Sequence, residues 1–181
     1  MLWEYQLIGV DAHSVEMSAE TPDPVIIFMP EGSKTHLGGT MRLGARATVF
    51  QPGSEWSKVR RLYSEVSQIQ ERHRHRYEVN PEYVDRLSEA GMNFVGKDEN
   101  GERMEIVELK DHPYFVGVQF HPEYLSRVLN PSKPYLGFVA ASSGYVHLSD
   151  GSACLTANVL LCSMLDQFLQ PLAHPTAIST P

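Results

Sequence analysis

Two stretches carry residues whose types and spacing could do chemistry. In Tyr114–Tyr124 (YFVGVQFHPEY), an imidazole at His121 is followed two residues on by a carboxylate at Glu123. A carboxylate beside a histidine can hold the ring in one tautomer and stabilise its cation, which suits a general base that activates a nucleophile. The same two side chains also make an ordinary solvated pair in a loop, and spacing alone does not choose between these readings. In Glu71–Val79 (ERHRHRYEV), extended backbone would set Arg72, Arg74 and Arg76 on one face and His73 and His75 on the other. Alternating arginines suit two-pronged capture of a carboxylate or phosphate, or simply a basic face turned to water. The two histidines could ligate a metal, but no cysteine or carboxylate completes a recognisable zinc pattern, so no metal is expected. Cys162 is embedded among Leu160, Leu161 and Met164, surroundings that suit a small buried hydrophobe rather than a nucleophile.

The elements that must position these groups follow from periodicity. A short apolar run leads into His121, and Pro122 cannot donate to a sheet ladder. A strand buried on both faces is therefore expected over Tyr114–Phe120, stopping at about His121. In open α/β sheets that end of a strand is where ligands bind. Asn93–Lys97 and Met104–Leu109 read as the two preceding strands of an antiparallel meander, with turns at 98–101 and 111–113. Upstream, Val25–Met29 is a brief strand candidate and Glu31–His36 a polar surface loop. After Gly38-Gly39-Thr40, Met41, Leu43, Ala45, Ala47 and Val49 alternate with Arg42, Gly44, Arg46 and Thr48. That period of two fits a half-buried strand with its two arginines in solvent. Trp56, Val59, Leu62 and Tyr63 have helical spacing. Asn80-Pro81 starts a helix that should run through Leu87 to a glycine cap at Gly91, and Pro134–Ser143 should be a helix packed back on the sheet. Residues 156–169 could form another helix, before a Pro-, Thr- and Ser-rich end expected to be disordered.

The bulk numbers narrow the function classes. At 181 residues, with 42% hydrophobic and 20% charged residues, the chain suits one soluble globular domain. A formal charge of -7 argues against nucleic acid or an anionic membrane as partner. Its 2 cysteines, Cys154 and Cys162, suggest no disulfide framework, and a reducing cytoplasm is the expected location. The start, MLWEYQLIG, lacks a signal peptide's basic region and long apolar core, and no stretch has the roughly 18 apolar residues of a membrane span.

Beyond this physics, GVQFHPEY resembles the His/Glu motif of class I glutamine amidotransferases, whose triad is Cys-His-Glu. LGGTMRLGARATVF and ERHRHRYEVNPEYV are similar to the glutaminase domain of CTP synthases. AHSVEMSAETPDPVIIFMPE and HPYFVGVQFHPEYLSRVLNPSKPYLGFVAAS extend the resemblance to residues 11–143. It implies an α/β fold, a partial class I amidotransferase-like (flavodoxin-like) three-layer arrangement with a mixed sheet and flanking helices. Residues 1–147 would be the C-terminal portion of the amidotransferase domain, and 148–181 a divergent tail. It also implies that His121 is the acid/base partner of a cysteine thiolate and that Glu123 orients it. Arg74 would grip the α-carboxylate of L-glutamine, and Glu16 would accept from its α-ammonium.

Ammonia released from glutamine would then aminate ATP-activated UTP in a synthase domain. No cofactor is expected on this segment, with ATP and Mg belonging to that other domain. Expected partners are glutamine, the synthase domain or full-length CTP synthase subunits, and further copies of the chain; nucleic acid and membrane are not expected. The resemblance also exposes departures. The Gly-x-Cys-Leu-Gly-Met-Gln elbow and the Gly-rich oxyanion loop have no counterpart here. The resulting expectation is a portion of a CTP synthase, truncated upstream of the nucleophile and inactive alone. The alternative is a non-catalytic module that binds or regulates a synthase, for which the apolar segment Asn158–Leu169 speaks. Another class I amidotransferase or a γ-glutamyl hydrolase-like protein is disfavoured by GGTMRLG and RHRHRYEVN.

Overall fold

The structure is a computed structural model and describes residues 11–30 and 41–143. In chain order, β1 (Ala12–Ser14) and β2 (Asp23–Phe28) precede β3 (Arg42–Phe50) and the short helix α1 (Lys58–Leu62). Then come β4 (Gln68–His75), β5 (Tyr77–Val79) and helix α2 (Pro81–Glu89). The meander β6 (Met92–Lys97), β7 (Met104–Leu109) and β8 (Val116–Val118) leads to a 3-10 turn at Pro122–Leu125 and helix α3 (Lys133–Ser142). This is a mixed α/β architecture with two sheets.

Local chemistry explains most boundaries. The Asn80 side chain accepts from the Glu82 N–H at 3.1 Å with Pro81 behind it, and Gly91 follows the helix at φ +96°, a conformation glycine adopts without strain. Helix α1 is only five residues long, and its first turn is held from outside. The buried carboxylate of Glu108 on β7 accepts from the Ser57 hydroxyl and from the N–H groups of Lys58 (3.0 Å) and Val59 (3.2 Å). Those donors have no partner within the helix, and the carboxylate supplies one.

The smaller sheet has the order β1-β2-β5, parallel then antiparallel; the larger is antiparallel throughout, β4-β3-β6-β7-β8. Arg76 separates β4 from β5, so one run of chain leaves the large sheet and enters the small one at that residue. Beyond β8 the backbone keeps bonding. The Gln119 N–H donates to Glu105 O on β7, and the His121 N–H donates to Arg72 O on β4, each at 2.9 Å. One edge of the large sheet therefore reaches the other, and the sheet curls around its own interior. Phe50, Val59, Ile69, Val95, Ile106 and Phe120 fill that interior. A second cluster, Ala12, Val25, Leu87 and Met92, joins the small sheet to α2.

Two expectations need correction. Most of β3 has the opposite phase: Leu43 is 52% exposed and Ala45 is exposed, whereas Thr48 and Phe50 are buried and the Arg42 side chain is only 9% exposed; Arg46 is exposed as expected. The reason is a partner far away in sequence, Glu105, which accepts from Arg42 Nη2 at 2.8 Å inside the curled sheet. The strand before His121 is also shorter than Tyr114–Phe120 and only half-buried. Of the strand Val116–Val118, Gly117 and Val118 line an open cavity of about 220 Å³ between the two sheets. Among the described residues no helix is long and apolar enough to cross a membrane. The loop at Glu31–His36, Gly38-Gly39-Thr40, Cys154, Cys162, the domain boundary after residue 147 and the tail all lie outside the described residues.

Candidate active site

The large sheet ends at His121, and Pro122 turns the chain into the 3-10 turn. The Tyr124 N–H donates to His121 O at 3.2 Å, folding Glu123 back toward the ring. His121 Nδ1 lies 2.7 Å from Glu123 Oε1. A carboxylate only accepts there, so Nδ1 carries the proton and Nε2 is left with its lone pair. Glu123's own backbone N–H, then His121, holds the carboxyl below the usual range, so it is ionised at neutral pH. Tyr124 stacks on the imidazole with centroids 5.1 Å apart and planes 28° from parallel. The side chains of the pair are 38% and 47% exposed, open to a reactant. No hydrogen bond to His121 Nε2 is found among the described residues. The arrangement is that of a base, or of an acid in the reverse step, held in one tautomer.

On the outer face of β4, Arg72 and Arg74 project into a groove of about 750 Å³ shared with Leu43, Tyr124, Leu125 and Arg127. The expected alternation holds along β4, where Glu71 and His73 are buried and Arg72 and Arg74 exposed. It fails at Arg76, which sits at the bend between the sheets with its Nε buried and without a hydrogen-bond partner among the described residues. Arg74 therefore shares a groove with the ring that stacks on His121. Glu16 is exposed in the turn after β1, at the small sheet, with its N–H donating to Ser14 Oγ at 3.2 Å. No contact joins it to Arg74 or His121 among the described residues.

The inner face of β4 holds the two histidines that the sequence raised as metal ligands and set aside, together with a carboxylate partner, Glu105, that sequence reasoning missed. His73 Nδ1 lies 3.3 Å from His75 Nε2 and 3.5 Å from Glu105 Oε2, while Arg42 holds the other oxygen of Glu105. His75 Nδ1 donates to Tyr77 O at 2.9 Å, which fixes that ring's tautomer. Burial, helped by the Arg42 charge, pulls His73 down to about 3. Burial likewise takes His75 to about 4, so both rings are neutral. Burial pushes Glu105 up to about 7 against the pull of Arg42. His73 packs edge-on to Phe120 at 6.0 Å, which puts the cluster directly behind His121. Two glutamates, Glu105 and Glu108, in the otherwise apolar MEIVEL strand were the available signal, because a buried charge in a sheet needs a partner.

Comparison with known proteins gives the family and the fold. The family description "Glutamine amidotransferase class-I" matches residues 8–141. The chain is 67% identical over 134 residues to the CTP synthase of Neurospora crassa, covering 74% of this chain and 23% of that protein. It is 61% identical over 133 residues to the CTP synthase of Schizosaccharomyces pombe, covering 74% of this chain and 22% of the relative. The chain thus spans about a quarter of the length of these curated relatives. The solved glutaminase domain of Trypanosoma brucei CTPS, with acivicin bound, superposes with a TM-score of 0.72 at 32% identity, covering 82% of this chain and 57% of that one.

Proposed function

The chain belongs to the class I glutamine amidotransferases, and from that premise we propose that it supplies the acid/base half of a glutaminase site serving CTP synthesis. The single observation that carries the reading is the His121–Glu123 contact of 2.7 Å on an accessible ring. A cysteine thiolate attacks the γ-carboxamide carbon of glutamine, and the protonated His121 gives its proton to the departing nitrogen, releasing ammonia and leaving a thioester. His121 Nε2 then takes a proton from water as the water attacks, and glutamate leaves with the thiolate restored. Glu123 keeps the ring oriented and stabilises its cation during both steps.

Arg74 grips the α-carboxylate of glutamine. Its support is the shared groove with Tyr124, one ring away from His121. Glu16 receives the α-ammonium, a role that rests on its place in the AHSVEM stretch alone. Both ends of a zwitterion must be paired in such a pocket, because an unmatched charge out of water costs several kcal/mol. Cys154 and Cys162 both lie beyond the matched residues 8–141, so in this reading neither is the nucleophile, the thiolate belongs to another segment, and this chain alone releases no ammonia. ATP, Mg and UTP act in a synthase domain, in the cytoplasm, to which the ammonia passes. A second reading is a module that binds or regulates a synthase. It draws on the exposed apolar side chains Val128, Leu129, Phe138 and Val139 after the 3-10 turn and on α3.

The test is a chimera in which residues 11–143 replace the matching segment of the Neurospora crassa enzyme. Glutamine-driven CTP formation is expected, and His121→Ala should reduce it by about 100- to 10,000-fold while free ammonia still supports synthesis. Retained glutamine use in the His121→Ala chimera would sink the acid/base assignment. A folded chimera active with ammonia but never with glutamine would favour the binding module.

A further inference from the structure

We propose that His73 Nδ1, His75 Nε2 and Glu105 Oε2 form a binding site for one first-row divalent cation, zinc foremost, inside the curled sheet behind His121. The donor atoms of the three residues all lie within 4.8 Å of one another. Two of the separations, 3.3 Å between the ring nitrogens and 3.5 Å from His73 to Glu105, can be compared with a metal polyhedron. Ligands at about 2.0–2.1 Å in a tetrahedron stand about 3.3–3.5 Å apart, so a cation could be seated with little side-chain movement.

The outer contacts point the same way. A metal-ligating imidazole needs its second nitrogen engaged, and His75 Nδ1 already donates to Tyr77 O. A ligating carboxylate is steadied through its other oxygen, and Arg42 does this at Glu105 Oε1, 2.8 Å away. The oxygen that remains, Glu105 Oε2, is buried without a hydrogen-bond partner among the described residues; His73 Nε2 also has none there and is the one second nitrogen of the set left unengaged. Glu105 is 1% exposed and His73 2%, so bulk solvent does not reach them. Two imidazoles and one carboxylate favour zinc and its neighbours over magnesium or calcium, which prefer oxygen sets. The Arg42 charge opposes any cation here, which tempers affinity without removing a ligand. A bound ion would tie β4 to β7 directly behind Phe120 and so brace the strand end that carries His121.

The full chain with Cys154→Ser and Cys162→Ser, so that thiols supply no ligand, is stripped with a chelator and titrated with Zn2+ and with Co2+. One equivalent of Zn2+ should bind and raise the thermal midpoint. The cobalt form should show visible bands of a four-coordinate nitrogen–oxygen site. His75→Ala and Glu105→Gln should each weaken Zn2+ by tenfold or more. The proposal fails if the folded chain binds no equivalent of either ion, or if both variants bind as the parent does. Should Glu105→Gln not fold, His75→Ala at its half-buried position decides together with the parent's cobalt spectrum.

Discussion

Two of the histidine–carboxylate groups among the described residues, His121–Glu123 and His73–Glu105, are built from the same side-chain types and placed in opposite surroundings. At the rim, His121 and Glu123 are 38% and 47% exposed, whereas the His73 and Glu105 side chains in the interior are both 0% exposed. At the rim a short contact holds a tautomer and leaves a basic nitrogen facing solvent, where a reactant can meet it. In the interior, desolvation keeps the imidazoles neutral and raises the carboxyl, so the group is costly to charge and gains its value from holding strands together. Burial, rather than residue type, divides chemistry from scaffolding here.

The comparison breaks most sharply at Arg42. Arg42→Ala leaves Glu105 buried beside two neutral rings, and losing one partner of a buried pair costs about 3–5 kcal/mol. Urea unfolding of the chain should show that loss, while His121→Ala at the rim should stay within about 0.5 kcal/mol of the parent. Equal losses would mean that the rim pair is as structural as the interior one. Arg74→Ala, made in the chimera, should raise the glutamine KM by about 10- to 100-fold, the worth of one charge-assisted contact, and leave ammonia-driven turnover alone. An unchanged KM would remove Arg74 from the substrate site and direct attention to Arg76, whose Nε is buried without a partner among the described residues.

What could be read from the sequence was what is decided locally. Asn80-Pro81 and Gly91 bound α2 because capping needs only neighbours. The meander was legible because Asp98 and Gly101 make its first turn: Asp98 Oδ1 accepts from the N–H groups of Glu102 (2.8 Å) and Arg103 (3.0 Å), and Gly101 takes φ +75°. His121 and Glu123 are two residues apart, so their contact also needed no knowledge of the fold. The phase of β3 was not legible. A period of two has two solutions, and the apolar set Leu43, Ala45, Ala47 and Val49 favoured the wrong one. Arg42 faces inward because Glu105 waits there, 63 residues on. The same distance hid the interior cluster: the histidines of RHRHR and the glutamates of EIVEL each ask for a partner, but neither stretch says which one until the sheet curls and joins its edges.

The smallest effect expected is a change in pH slope at Glu108, a buried carboxylate far from both groups in role. Burial raises it above the ordinary range, opposed by the Ser57 hydroxyl and the amides of Lys58 and Val59. A raised folded value means that the folded chain holds this proton more tightly than the unfolded chain does. The stability it contributes is therefore full below the unfolded value and declines as pH rises through the folded one. Glu108→Gln is neutral at every pH and loses acceptance from part of the α1 amide pair, so it starts from a lower stability. The gap between parent and variant, measured as urea midpoints at pH 4 and pH 8, should narrow as pH rises. A gap that widens instead would mean that the three donors outweigh burial and hold the Glu108 carboxyl below its unfolded value.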